Sequence, residues 1–247
     1  MRFVLKTLAV FWLVVYASGG SLQAETLVVG CDQNLKPFVF ADEQGNYAGF
    51  DIDVWQEIAK SIGLEYELRP MAFRELLPAL QDGHIGAALG ALSITAAREK
   101  SIDFSYPYYD AGLILMIKKD NPFIRGIGDL DDKVVATKKG TTSDDFAHNI
   151  QTKAVKLYDT IDEAYTALRN DQAGAVIFDS TVILHYLQTK GENEFKTVGR
   201  LYSRQSYGFA FPPGSTLRDK ASIAVLELRE GFRYAIIYSK WFGPYNQ

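Results

Sequence analysis

Residues 49–59, GFDIDVWQEIA, place a glycine, two acids and an apolar face in one short run. Gly49 permits a turn that a side chain would resist. Asp51 and Asp53 suit the first turn of a helix, Asp51 as its cap and both against the positive end of the helix dipole. Val54, Ile58 and Ile62 then recur every four residues, the spacing of a helix that buries one face. Just upstream, Phe38-Val39-Phe40 and Tyr47-Ala48-Gly49 flank Gln44-Gly45-Asn46, a hairpin signal, and residues 27–31 read as a β-branched strand.

Working outward, strands and helices alternate. A strand at 65–69 precedes a helix carrying Leu76, Leu77 and Leu80, then a strand at 85–89. The middle third repeats the plan, with strand 134–137, loop 138–142 and Ser143 as an N-cap candidate. Strand 156–158, helix 161–168 and strand 175–178 follow, and the chain ends with a strand at 207–211 and helices at 216–229 and 231–241. Alternation of this kind predicts an α/β fold, parallel sheets covered by helices. Two short extended passages, 106–110 and 203–206, stand where the chain crosses between two lobes, so lobe 1 is expected from 25–108 plus 206–247 and lobe 2 from 109–205. Two such crossings side by side form a hinge.

The first 24 residues read as an export signal. Arg2 and Lys6 precede the apolar run 8–17, which is short for a membrane span, and Leu22-Gln23-Ala24 offers a cleavage site. The alternative is an uncleaved anchor helix. Removing 24 of 247 residues leaves 223, and losing two positive charges moves the net charge from −4 to −6. An acidic balance argues against a nucleic-acid partner, which needs a basic face. Cys31 is the single cysteine, so no internal disulfide exists, and a buried strand position suits it. His84, His148 and His185 are scattered without metal-ligand spacing, and no nucleophile elbow, phosphate loop or dinucleotide fingerprint is present. Neither catalytic residue, metal nor cofactor is expected, and a monomer is.

The 49–59 signature resembles that of the polar-amino-acid family of periplasmic solute-binding proteins (family 3). Further matching segments are Ala91-Leu92-Ser93-Ile94-Thr95 with Arg98, Ile102-Asp103-Phe104-Ser105 with Tyr108-Tyr109, and Asp129-Leu130 with Lys133-Val134-Val135-Ala136. Gly140-Thr141 and Lys240-Trp241-Phe242-Gly243 match as well. The resemblance implies a two-lobed, Venus-flytrap fold with two hinge strands, closing over one ligand. Within the family the pattern is most similar to members that bind glutamine for an ABC importer.

The resemblance also implies a ligand-binding site. Arg98 matches the arginine that grips an α-carboxylate, a fit that a planar guanidinium fork makes with two parallel hydrogen bonds. Ser93 and the backbone of Ala91 and Thr142 match further contacts, and Asp179 matches the partner of the α-ammonium. Asp32 and Lys138 match residues that read a side-chain amide, and Phe73 an aromatic wall. Leu35 stands where the glutamine binders carry a stacking phenylalanine, and Phe178 where they carry a histidine, so a neutral polar amino acid, glutamine or similar, is implied. Taken singly, these residues have plainer readings. Arg98 fits a solvated helix face, Asp179 a helix cap, Ser93 and Thr142 turn positions, Phe73 core, and Asp32 with Lys138 a structural ion pair.

The implied function is capture of a polar L-amino acid in the periplasm and delivery to the permease subunits of an ABC importer. Two other functions fit the same fold: a periplasmic enzyme such as a cyclohexadienyl or arogenate dehydratase, and a ligand-sensing module.

Overall fold

The computed structural model describes residues 26–245, and the expected signal at 1–24 lies outside the described residues. Two five-stranded sheets carry the two lobes. The first holds β1 (Leu27–Asp32), β5 (Tyr66–Met71), β6 (Ala87–Leu89), β7 (Asp103–Phe104) and β13 (Ala210–Phe211), in the order β5-β1-β6-β13-β7. The second holds β8 (Tyr109–Lys118), β9 (Val134–Lys138), β10 (Ala154–Tyr158), β11 (Ala175–Asp179) and β12 (Phe195–Tyr207), in the order β10-β9-β11-β8-β12. Three adjacent strands at one side of each sheet are parallel, β1 with β5 and β6, and β9 with β10 and β11. The expected hairpin forms β3 (Val39–Ala41) and β4 (Tyr47–Ala48), joined by β2 (Asn34–Leu35) into a small third sheet.

The helices cover these sheets: α1 (Phe50–Ser61), α2 (Phe73–Gln81), α3 (Thr142–His148), α4 (Ile161–Arg169), α5 (Ser180–Tyr186), α6 (Thr216–Glu230) and α7 (Phe232–Phe242). Buried on both faces, a central strand such as β11 reads AVIFD, an unbroken apolar run closed by one acid.

The crossing passages meet as expected of a hinge, and they belong to longer strands than the sequence suggests. β8 and β12 run antiparallel, with Tyr207 opposite Tyr109 and Gln205 opposite Ala111. The strand expected at 207–211 is two strands: Tyr207 pairs in the second sheet, and Ala210 pairs with Ala88 and Phe104 in the first. Aromatic rings pack the crossing. Tyr108 stacks on Phe209 at 4.4 Å, and Tyr109 on Tyr207 at 5.8 Å.

Two cap assignments from sequence are corrected. Helix α1 begins after Gly49, whose φ of 139° and neighbour Phe38 leave no room: a Cβ there would lie 2.0 Å from the Phe38 carbonyl oxygen. Asp51 therefore sits inside the first turn and turns inward. Wholly buried, it accepts hydrogen bonds from the N–H of Gly90 (3.0 Å) and Ala91 (2.7 Å) and from the Tyr108 hydroxyl (2.8 Å). Helix α3 is capped by Thr141, whose hydroxyl accepts from the Asp144 N–H; Ser143 is buried behind it. Val54 and Ile58 are buried as the periodicity requires, while Ile62 is half-buried at the helix end.

Asp51 thus ties α1, the loop after β6 and the hinge entrance together. Replacing it by alanine leaves three buried donors unpaired, at about 1–3 kcal/mol each when fully felt. Urea denaturation of Asp51→Ala should show a loss of about 3–5 kcal/mol, and Asp51→Asn, which keeps an acceptor, a smaller one. A loss under about 1 kcal/mol for the alanine variant would mean that the loop is held by something else.

Candidate functional site

Parallel strands deliver their last residues to one end of a sheet, and here those ends from the two sheets face one another. Asp32 ends β1, Gly90 and Ala91 follow β6, Lys138 ends β9 and Asp179 ends β11. Nine of the ten residues singled out from sequence line one cavity of about 240 Å³ between the sheets. Leu35, Phe73, Ala91, Ser93 and Arg98 come from the first lobe. Lys138, Thr142, Phe178 and Asp179 come from the second, together with Thr141, which the sequence reading left out. Asp32 does not line the cavity. Its carboxylate lies behind it, in a buried ion pair with Lys138 whose side chains are 4% and 2% exposed.

Each lining group is positioned by its backbone. Ala91 holds a φ of 51°, unusual for a residue with a side chain, and its N–H is taken by Asp51, which leaves the carbonyl for other use. Arg98 opens a 3-10 turn. Its Nη1 donates to the Ser93 carbonyl oxygen at 2.9 Å, and its Nη2 reaches the Gly140 carbonyl across the cleft at 3.3 Å. The Phe73 ring lies beneath both cations, its centroid 5.7 Å from the Arg98 guanidinium carbon and 5.2 Å from Lys138 Nζ. A ring face at that distance attracts either charge.

Gln205, on the hinge strand β12, is a site residue that no pattern announces. Its side-chain oxygen accepts from the Ser93 hydroxyl at 2.7 Å and from the Thr142 hydroxyl at 3.0 Å. It joins one hydroxyl from each lobe to the hinge. An isolated glutamine in a polar stretch carries no signal in sequence; only the pairing of β8 with β12 turns it inward.

The electrostatics are unbalanced in a specific way. Burial lowers the Arg98 pKa from its ordinary value, with Asp145 and Asp179 acting in the opposite direction. Burial pushes the Asp179 carboxyl up to about 7, while Tyr207, Arg98 and Lys138 act to lower it. The Tyr207 hydroxyl is close enough to do so but lies outside ordinary hydrogen-bond geometry. No cation forms an ion pair with Asp179 among the described residues. A fixed guanidinium at one end and a carboxylate short of a cation at the other suit a small zwitterion.

Residues 27–244 match the family described as bacterial extracellular solute-binding proteins, family 3. The chain is 29% identical to the L-cystine-binding protein TcyJ of Escherichia coli (strain K12), over 88% of this chain and 83% of that one. It is 34% identical to a glutamine-binding protein of Geobacillus stearothermophilus, over 74% and 71%. Among solved structures, the GluR0 ligand-binding core from Nostoc punctiforme in complex with L-glutamate superposes with a TM-score of 0.81 at 38% identity. That match covers 88% of this chain and all of the other.

Two outcomes follow from the buried charges. Asp51 and Asp179 both have carboxyls raised to about 7 from 3.8, so the folded chain holds protons that the unfolded chain releases. Their contribution to stability is full below about 3.8 and is lost as pH rises through about 7. The urea midpoint of the ligand-free protein should be higher at pH 5 than at pH 8, and Asp179→Asn should flatten part of that slope. Lys138→Met strands Asp32 in the closed cleft at a cost of about 3–5 kcal/mol. Because the pair joins the two sheets, the loss should appear in small-angle scattering as a more open molecule, and Asp32→Asn on the same chain should restore part of the compactness.

Proposed function

The chain belongs to the bacterial extracellular solute-binding proteins, family 3, and on that premise we propose that it captures one polar L-amino acid in the periplasm and hands it to the permease subunits of an ABC importer. The observation that carries this reading is the placement of Arg98 and Asp179 on opposite walls of one cavity. An α-carboxylate takes the guanidinium fork, and an α-ammonium supplies the cation that Asp179 is short of. The ligand then stabilises the closed state more than any other, which is what closure by a ligand requires.

A neutral side chain fits best, glutamine or a similar amino acid. Arg98 and Lys138 bring two positive charges, Asp179 and Asp32 two negative, and Asp32 and Lys138 already neutralise one another. A zwitterion keeps that balance, whereas a charged side chain would enter a dry cavity without a partner. Leu35, Phe73 and Phe178 give such a ligand apolar walls. The reading is binding and not turnover, because the Ser93 and Thr142 hydroxyls at the cavity donate to Gln205 and the Thr141 hydroxyl to the Lys138 carbonyl, so none is set to attack a ligand.

The test is calorimetric titration of the refolded, ligand-free protein with the twenty amino acids. Glutamine or another neutral polar member should bind well below millimolar, more tightly than arginine or glutamate. Arg98→Ala and Asp179→Asn should each weaken it by about 100-fold or more, since removing one member of a buried charge pair costs about 2–5 kcal/mol. If none of the twenty binds more tightly than about millimolar, roughly 4 kcal/mol, the proposal is lost.

A further inference from the structure

A larger cavity, about 490 Å³, lies beside the cleft and is also walled by both lobes. Asn34 and Lys36 reach it from the first lobe; Tyr165, His185, Tyr186 and Lys190 reach it from the second. Strand alternation explains why it is separate: Leu35 points into the amino-acid cavity, so its neighbours in sequence point to the other side.

Its contents are unusual in three respects. Tyr165 stacks on Tyr186 with ring centroids 4.1 Å apart, forming an extended flat wall. The Tyr165 hydroxyl is buried, in a residue only 2% exposed, and has no hydrogen-bond partner. A donor left so costs about 1–3 kcal/mol unless something accepts from it. Finally, Lys36 and Lys190 stand on the rim without a carboxylate partner among the described residues. The rim acid Asp162 is already taken by the Asn34 amide at 2.9 Å, a bond that spans the two lobes. Lys190 belongs to a π-helical turn over residues 187–191, an irregularity that departs from the α-helix to reach this position.

We propose that this cavity is a second ligand site, taking a flat organic anion of the aromatic-carboxylate class, with the carboxylate between the two lysines and the ring along the tyrosine wall. Because its walls come from both lobes, the site is complete only when they close. An occupant therefore favours closure and tightens amino-acid binding next door, and the amino acid tightens the occupant by the same factor. The site needs lobe closure but not any particular amino acid.

Benzoate is a suitable probe and benzamide its uncharged counterpart. In calorimetry of the full chain, benzoate should raise the affinity for the amino acid that binds by about five-fold or more, the lower end of ordinary coupling, and benzamide should not. Lys36→Gln with Lys190→Gln should remove the benzoate effect and leave amino-acid affinity without benzoate unchanged. Tyr165→Phe should weaken benzoate several-fold. Direct binding is read separately from the imidazole resonances of His185, so a failure of amino-acid binding would not be mistaken for a failure here. Equal action by benzamide, or no shift at His185 and no coupling, would overturn the proposal.

Discussion

A charge taken out of water must find a partner, and this molecule is organised around four that are buried at the junction of its lobes. Asp51 is satisfied by two backbone N–H groups and a tyrosine hydroxyl. Asp32 is satisfied by Lys138, from the opposite lobe. Asp179 is the exception. No cation within the described residues pairs with it, and burial drives its carboxyl up to about 7. The fold completes two of its buried acids by itself and leaves the third without a paired cation among the described residues.

That division is what would couple binding to closure under the proposed function. With the lobes apart, Asp32, Lys138 and Asp179 can all be hydrated; with the lobes together, hydration is lost and only the first two have each other. On the proposed function, a ligand ammonium would repair the remaining deficit, and its interaction energy would be drawn mainly in the closed state. Gln205 adds a mechanical element. It binds Ser93 and Thr142 at once, so the hydroxyls of the two walls are read on the hinge strand itself. Stacked aromatic pairs, Tyr108 on Phe209 and Tyr109 on Tyr207, pack the hinge.

Family membership shows the solute class at the level of amino acids and no further, since relatives of similar closeness carry names that specify cystine and glutamine. In this chain the Asp32–Lys138 pair is mutually neutralised, and Leu35, Phe73 and Phe178 give the cavity apolar faces, the features on which the proposed preference for a neutral side chain rests.

Much of this was legible in the chain alone. Alternating apolar runs fix two α/β lobes because each parallel strand needs a covering helix, and the family resemblance drew attention to Arg98 and Asp179, which line one cavity. What could not be read was direction. Asp51 follows a glycine at a helix start, where a cap is the natural reading, yet the Phe38 carbonyl fixes Gly49 as the turn and sends the carboxylate into the core. Tyr207 and Ala210 looked like one strand because both are apolar, and only their pairing assigns them to different sheets. Lys138 with Asp32, and Gln205 with its two hydroxyls, lie more than sixty residues apart from at least one partner each. Local periodicity sets which elements form and which face is buried, because those depend on neighbours in sequence. Which buried charges neutralise one another depends on distances across the cleft, and these exist only once the lobes are assembled.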